Sequence, residues 1–110
     1  MNNKTLNAQV ALVTGAGRNI GRTITLALAR AGATVVVNVR TNIDEGQAVV
    51  DEIIAGGGRA MLFAADVTER ERVDAMLDKI RTNYGRLDIL VNNAAVRDEC
   101  PFEKDRKSVV

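Results

Sequence analysis

The sequence predicts an α/β fold in which four parallel strands form a sheet covered by helices on both faces. Four short runs rich in Val, Ile and Leu alternate with three longer stretches of helical periodicity, which is the order expected of successive βαβ units. The runs are almost continuously apolar, as expected for a sheet covered on both faces, whereas a half-exposed strand would alternate apolar and polar residues. The predicted strands are residues 10–14, 34–39, 61–65 and 87–92.

Each of the three predicted helices ends at glycine, a common residue just beyond a helix C-terminus. The first precedes Gly32, and its expected buried face is Ile20, Ile24, Ala27, Leu28 and Ala31. The second stops at residues 56–58, and its expected apolar positions are Val49, Val50, Ile53 and Ile54. The third ends at Gly85 after a stripe of Val73, Met76, Leu77, Ile80 and Tyr84, and Thr68 with Glu71 predicts a capping box at its start.

Composition narrows the chemistry that the chain can support. The 110 residues are 46% hydrophobic and 26% charged, as in one ordinary globular domain. The net charge of +1 gives no sign of a nucleic-acid or membrane partner. The chain has no His and a single Cys, which excludes His-based triads, His/Cys zinc sites and an internal disulfide. No apolar leader or membrane-span pattern stands out, so a reducing cytoplasm is the expected location.

A glycine-rich turn between the first strand and the first helix is the principal candidate for binding. It reads Thr-Gly-Ala-Gly-Arg-Asn-Ile-Gly over residues 14–21. Glycines let the backbone approach a phosphate, and the amides and dipole at a helix N-terminus attract the anion. The turn has no Gly-Lys-Ser/Thr ending and has Ile20 where G-x-G-x-x-G requires glycine. A glycine-rich βα turn that binds nothing remains the alternative at this point.

The turn resembles the T-G-x-x-x-G-x-G cofactor loop of the short-chain dehydrogenase/reductase family. The resemblance continues at Asp66-Val67, similar to that family's adenine-ring contact, and at residues 90–95, similar to its N-N-A-G segment. Asn19 replaces the middle glycine of the loop, and Asn is the residue other than glycine that best tolerates a left-handed backbone. Ala95 replaces the last glycine of the second motif.

The resemblance implies a Rossmann-like half with strand order 3-2-1-4 that binds a nicotinamide dinucleotide at the carboxyl ends of its strands. The candidate residues all follow strands. The implied cofactor-binding residues are Gly15, Gly17, Arg18, Asn19, Ile20, Gly21, Arg40, Asp66, Val67 and Asn93.

The residues after the second strand favour NADP(H) over NAD(H). An acidic residue usually holds the ribose 2′-hydroxyl of NAD there, but the chain has Arg40 and no carboxylate before Asp44. Arg40 and Arg18 could pair with a 2′-phosphate. The alternative is that both are ordinary solvated side chains. Asp66 could likewise be a helix-capping acid, although Thr68 is the better predicted cap, and Asn92 and Asn93 could satisfy loop backbone groups.

The family's catalytic Ser and Tyr-x-x-x-Lys pair, in which Tyr is the general acid/base, have no counterpart in these residues. Tyr84, the single tyrosine, lies on the third predicted helix, where packing is its expected role, and Ser108 and Cys100 are not expected to be catalytic. We therefore expect the N-terminal cofactor half of a reductase that transfers hydride between NADP(H) and a small carbonyl or alcohol, inactive as this chain alone.

The expected domain is residues 6–96, followed by a short charged tail over residues 97–110. Strand four would be an open edge with uncovered apolar surface, which predicts marginal stability and self-association. Two alternatives remain open: a noncatalytic nucleotide-binding module and a nonfunctional fragment.

Overall fold

A central parallel sheet, described in a computed structural model over residues 5–93, carries one helix layer on each face. The strands are β1 (Val10–Thr14), β2 (Thr34–Val39), β3 (Arg59–Ala64) and β4 (Ile89–Asn92), and the helices are α1 (Asn19–Arg30), α2 (Ile43–Ala55) and α3 (Arg70–Tyr84). The strand order is β3-β2-β1-β4, and every pairing is parallel. The predicted fold class and strand order are confirmed. The boundary expected between residues 96 and 97 lies outside the described residues.

Alternate residues of the strands divide the core into two layers. Ala11 and Val13 of β1 pack with α1 and α2, whereas Leu12 packs with α3 on the other face of the sheet. Val36 and its neighbours in β2 follow the same alternation, and every residue of β1 and β2 is buried. The strand sequences are continuously apolar because both faces of the sheet are covered.

The buried face of α1 differs from the predicted one. Its buried residues are Gly21, Thr25, Leu26 and Ala29, whereas Ile20 is 68% exposed and Ala27 is also exposed. Because Gly21 has no side chain, the backbone of α1 can approach the turn after β1. This approach rotates α1 so that the face with Gly21, Thr25 and Ala29 packs against the sheet. Ile24 and Leu28 pack at the margin of the core, as partly buried residues.

The other two helices follow their predicted patterns more closely. In α2, Val49, Val50 and Ile53 are buried, but Ile54 is 55% exposed. In α3 the buried positions are Val73, Met76 and Ile80, with Leu77 and Tyr84 packed partly buried against them. Packing is thus the observed environment of Tyr84, and burial raises the pKa of its phenol.

Two strand starts move relative to the sequence prediction. β3 begins at Arg59 because this edge strand tolerates an exposed charged residue, and Arg59 donates to the Thr34 hydroxyl at 3.2 Å. β4 begins at Ile89 because Asp88 turns towards β1. The Asp88 carboxylate accepts from the Val10 amide at 2.8 Å, and the Asp88 amide donates to the Val10 carbonyl at 2.8 Å.

The predicted open edge at β4 is present in its backbone but not in its side chains. Within residues 5–93, β4 pairs with β1 alone. Leu90 and Val91 are nevertheless 4% and 8% exposed, because one packs in each core layer. Uncovered apolar surface was expected at Ile89, Leu90 and Val91; this expectation is wrong for Leu90 and Val91, and Ile89 is partly buried.

The predicted capping box of α3 is also wrong. Helix α3 begins at Arg70, so the N-cap is Glu69, which makes no side-chain cap hydrogen bond. Thr68 is outside the helix, and its amide and hydroxyl donate to the Asp66 carboxylate at 2.9 and 2.7 Å. A local turn closed by an Asp side chain has replaced the cap because short polar side chains compete for backbone groups.

Asn38 is a polar residue inside an otherwise apolar strand, and it connects β2 to the end of β3. It is 2% exposed, and its side-chain amide donates to the Phe63 carbonyl at 3.1 Å and to the Ala65 carbonyl at 3.2 Å. Its own carbonyl accepts from the Ala16 amide at 2.9 Å. One buried residue therefore joins three chain segments at the carboxyl edge of the sheet.

Replacing Asn38 by Leu tests this connection. The variant keeps a similar volume but removes both donors from a buried position, and it is expected to lower the free energy of unfolding by about 1–3 kcal/mol. Urea unfolding followed by circular dichroism measures the loss. A variant as stable as the original chain would show that these hydrogen bonds contribute little.

Candidate dinucleotide site at the carboxyl edge

The turn after β1 carries the backbone geometry expected of a phosphate-binding loop. Gly15 and Asn19 have positive φ angles of 62° and 57°. Asn19 therefore adopts the left-handed conformation that the family loop assigns to glycine, at a residue type that tolerates it. Gly17 leads into Arg18, the N-cap of α1, whose side chain makes no cap hydrogen bond. No acidic residue occupies the first turn of α1, so no carboxylate within that turn competes with an anion for the free amides and the helix dipole.

Gly21 is held against the same turn so closely that no side chain fits. A Cβ atom at Gly21 would lie 2.0 Å from the Gly15 carbonyl oxygen and 2.6 Å from the side-chain nitrogen of Asn93. Asn93 donates to that carbonyl at 3.1 Å, and Thr14 donates through its hydroxyl to the Asn92 side chain at 3.1 Å. The ends of β1 and β4 are thereby tied to the glycine turn and to α1.

Arg40 and Asp66, which follow β2 and β3, lie side by side. The Arg40 Nε and the Asp66 Oδ2 are 3.3 Å apart. Hydrogen bonds from Thr68, followed by the nearby Arg40 charge, hold the pKa of Asp66 below its usual value against the opposing effect of burial. Asp66 is therefore an ionised acceptor. Its neighbour Val67 is only 4% exposed and packs in the core layer on the α3 side of the sheet.

Arg18, the second arginine predicted at the site, has a carboxylate neighbour of its own. Its Nη1 lies 4.0 Å from the Glu45 Oε2, and the side chains are 73% and 34% exposed. Glu45 is in the first turn of α2 and packs against the glycine turn, since a Cβ at Gly17 would lie 3.2 Å from the Glu45 Cβ.

Asn38 and Glu45 also belong to this edge, although neither was predicted there from the sequence. The signal for Asn38 was present, because an amide among valines in a doubly covered strand requires buried partners. Glu45 gave a weaker signal, since its approach to Gly17 depends on how α2 packs beside β2.

The structure brings the predicted residues to one edge of the sheet. The turn at residues 15–21, Arg40, Asp66 with Val67, and Asn93 all follow the carboxyl ends of strands, and Ile20 is exposed beside them. Residues 94 and 95 of the second motif, Cys100 and Ser108 lie outside the described residues. Tyr84 is at the end of α3, which returns the chain to the opposite edge, so it is remote from the turn.

Neither a metal site nor a membrane span was found at the described positions. No group of three or more His, Cys, Asp or Glu side chains in residues 5–93 is arranged to hold a metal ion. No helix in the same range is both long and apolar enough to cross a bilayer.

Replacing Gly21 by Ala tests the close approach of α1 to the turn. Alanine normally stabilises a helix interior by about 0.5–1 kcal/mol relative to glycine. Here the added methyl group meets a backbone carbonyl, so we expect a net loss of about 1–3 kcal/mol in unfolding free energy. Gly56→Ala is the matched control, because its Cβ would make only ordinary contacts at 3.6 Å. Equal stabilities for the two variants would contradict the observed approach.

The pH dependence of stability tests the charge of Asp66. Because its folded pKa is lowered, ionised Asp66 contributes stability above its unfolded pKa, and this contribution is lost as pH falls through the folded pKa. Asp66→Asn retains an oxygen that can accept from Thr68 but lacks the charge. Urea unfolding should find the original chain more stable than this variant at pH 7, with the difference shrinking below about pH 4. A difference independent of pH would exclude a stabilising carboxylate.

Comparisons with known proteins agree on the family of the chain. The family model described as short chain dehydrogenase matches residues 9–110. Among curated proteins, the chain is 49% identical over 87 residues to 1-cyclohexenylcarbonyl-CoA reductase from Streptomyces collinus. This alignment covers 79% of the chain and 31% of that relative. It is 47% identical over 91 residues to 3-oxoacyl-[acyl-carrier-protein] reductase from a Synechocystis species, covering 83% and 37%. The chain thus spans about a third of the length of these relatives.

Solved structures give the same result. A metagenomic short-chain oxidoreductase in complex with NADP superposes with a TM-score of 0.80 at 41% identity, over 84% of the chain and 41% of that structure. A 7α-hydroxysteroid dehydrogenase complexed with NADH and 7-oxo glycochenodeoxycholic acid superposes at 0.77 with 41% identity, over 83% and 35%. With the parallel sheet and its glycine turn, these matches show that the chain belongs to the short-chain dehydrogenase family.

Proposed function

We propose that this chain binds a nicotinamide dinucleotide, with NADP(H) preferred, as part of a reductase that transfers hydride between NADP(H) and a small carbonyl or alcohol. The observation that carries the proposal is the convergence at one edge of the sheet, where Asn93 contacts Gly15 and Arg40 lies 3.3 Å from Asp66. Ligands of doubly wound sheets bind at the carboxyl ends of the strands. The solved relatives named with NADP and with NADH support a dinucleotide and leave the choice between the two to the residues of this chain.

In the proposed complex, the glycine turn and the start of α1 bind the pyrophosphate. The positive φ angles at Gly15 and Asn19 shape the turn, and the absence of a side chain at Gly17 lets the turn pack against Val39 and Glu45. The first amides of α1 then donate to phosphate oxygens, with the helix dipole adding to the attraction. Ile20 and Gly21 contribute backbone at this point, and Asn93 fixes the turn through the Gly15 carbonyl.

The adenosine end lies between the ends of β2 and β3 in this proposal. Asp66 is ionised and each carboxylate oxygen can accept more than one hydrogen bond, so it can accept from the adenine amino group while bonded to Thr68. Backbone next to Val67 completes the adenine contact. Arg40 and Arg18 are exposed cations at this edge, and we assign both to the 2′-phosphate because a guanidinium donates charge-assisted hydrogen bonds to phosphate oxygens.

The bound dinucleotide supplies the hydride at its nicotinamide ring. The residues of this chain bind and orient the cofactor, whereas a Tyr-x-x-x-Lys pair for proton transfer does not occur among these 110 residues. Tyr84 is partly buried against the α3 side of the core, and burial raises its pKa, which makes it a poor acid/base at neutral pH. The proposal therefore includes binding without turnover by these residues alone.

Isothermal titration of the chain with NADP⁺ and NAD⁺ tests the proposal. We expect NADP⁺ to bind about 10–100-fold more tightly, because one or two charge-assisted hydrogen bonds at an exposed site act on the 2′-phosphate alone. Arg40→Ala is expected to weaken NADP⁺ binding about tenfold with little effect on NAD⁺, and Arg30→Ala, at the far end of α1, serves as the control.

Equal affinities for the two dinucleotides would refute the NADP preference, and the absence of binding would refute the proposed function. An assay of carbonyl reduction with NADPH on the same samples checks turnover. Reduction catalysed by the chain alone would contradict the inactivity included in the proposal.

A further inference from the structure

Glu45 is a carboxylate at the candidate site that the proposed function does not use. It is the third residue of α2, and its amide donates at 3.1 Å to the side chain of Asn42, the helix N-cap. This bond fixes the backbone of Glu45 at the edge of the sheet. Its side chain is 34% exposed, so two-thirds of its surface is covered.

The covered side of Glu45 faces the glycine turn. A Cβ built at Gly17 would lie 3.2 Å from the Glu45 Cβ and 3.4 Å from its Oε1. The same position would be 3.1 Å from a methyl of Val39, the last residue of β2. Glu45 therefore sits where the turn, the end of β2 and the start of α2 meet, and its carboxylate lies beside the turn.

The Glu45 carboxylate also competes for the arginine assigned to the 2′-phosphate. Its Oε2 is 4.0 Å from the Arg18 Nη1. A phosphate monoester carries a charge of about −1.5 to −2 at neutral pH, so a 2′-phosphate next to Arg18 would meet the carboxylate as a like charge. A ribose 2′-hydroxyl is a neutral donor, and a carboxylate is its natural acceptor.

We propose that Glu45 is a specificity-determining residue, because its carboxylate opposes binding of the 2′-phosphate of NADP and accepts the 2′-hydroxyl of NAD. This inference rests on the proposed dinucleotide function. The preference of the site is then the balance of four charges. Arg40 and Arg18 favour the phosphorylated ribose, Glu45 reduces the effect of Arg18, and the ionised Asp66 is a second carboxylate, 3.3 Å from Arg40. With Glu45 present, we expect weaker discrimination between NADP and NAD than the two arginines would give alone.

Glu45→Gln tests the proposal by removing the charge while keeping the shape of the side chain. The test is a calorimetric titration of the 110-residue chain and its variant with NADP⁺ and with NAD⁺, at low and at physiological salt. NADP⁺ is expected to bind about three- to tenfold more tightly to the variant at low salt, with a smaller gain as salt screens the repulsion. NAD⁺ is expected to bind equally well or up to about threefold less tightly, because an amide is a weaker acceptor than a carboxylate.

Asp44→Asn is the matched control. Asp44 is the neighbouring acid in the same helical turn, so this variant makes the same change in net charge. Its side chain is exposed, and its effect on either dinucleotide is expected to stay below about twofold. Thermal unfolding confirms that each variant is folded, and Glu45→Met, which also removes the charge at similar length, must change the NADP⁺ to NAD⁺ ratio in the same direction.

The failure of this inference differs from the failure of the proposed function. If the original chain binds a dinucleotide and Glu45→Gln leaves the affinity ratio unchanged, or weakens NADP⁺ binding, Glu45 does not oppose the phosphate and the inference is overturned. An equal gain in Asp44→Asn would assign the effect to net charge and overturn it as well. If the original chain binds neither dinucleotide, the proposed function fails and the inference fails with it.

Discussion

The close approach of α1 to the turn after β1 is the contact on which the edge of this molecule depends. Gly21 leaves room for the Gly15 carbonyl, and the Asn93 side chain donates to that carbonyl from the end of β4. The turn, the start of α1 and the end of β4, which lies 78 residues further along the chain, therefore meet at one backbone group. A single methyl group at Gly21 would lie 2.0 Å from that oxygen, so the start of α1 could not remain where it is. The same contact sets which face of α1 is buried, with Thr25 and Ala29 directed at the sheet.

A second constraint is the buried amide of Asn38. In a parallel sheet covered by helices, polar side chains are costly unless their groups are hydrogen-bonded. The side-chain amide of Asn38 donates to the carbonyls of Phe63 and Ala65. These bonds fix the point where the chain leaves β3 and turns at Asp66. The backbone carbonyl of Asn38 holds Ala16 in the glycine turn. The glycine turn and the Asp66 turn are thus positioned relative to each other through one residue of β2.

The charges at this edge are arranged in pairs. Arg40 lies beside Asp66, and Arg18 lies near Glu45. Such exposed pairs contribute little to stability, because water screens them and long side chains lose freedom when they are held. Their consequence concerns ligand recognition, since an arginine that already has a carboxylate partner presents less net positive charge to an incoming phosphate. Thr68 fixes the Asp66 carboxylate by two hydrogen bonds and lowers its pKa.

The sequence by itself determined the alternation of strands and helices, the parallel sheet and the glycine turn. These follow from local periodicity and from residue types with special backbone freedom, such as Asn19 at a φ of 57°. Tertiary structure alone decided which atoms meet. It exposed Ile20, because the fit of Gly21 sets the rotation of α1. In the folded chain the Thr68 hydroxyl donates to the Asp66 carboxylate and does not cap α3, and Glu45 packs against Gly17. Such contacts depend on distances between segments that are remote along the chain, and no local pattern encodes those distances.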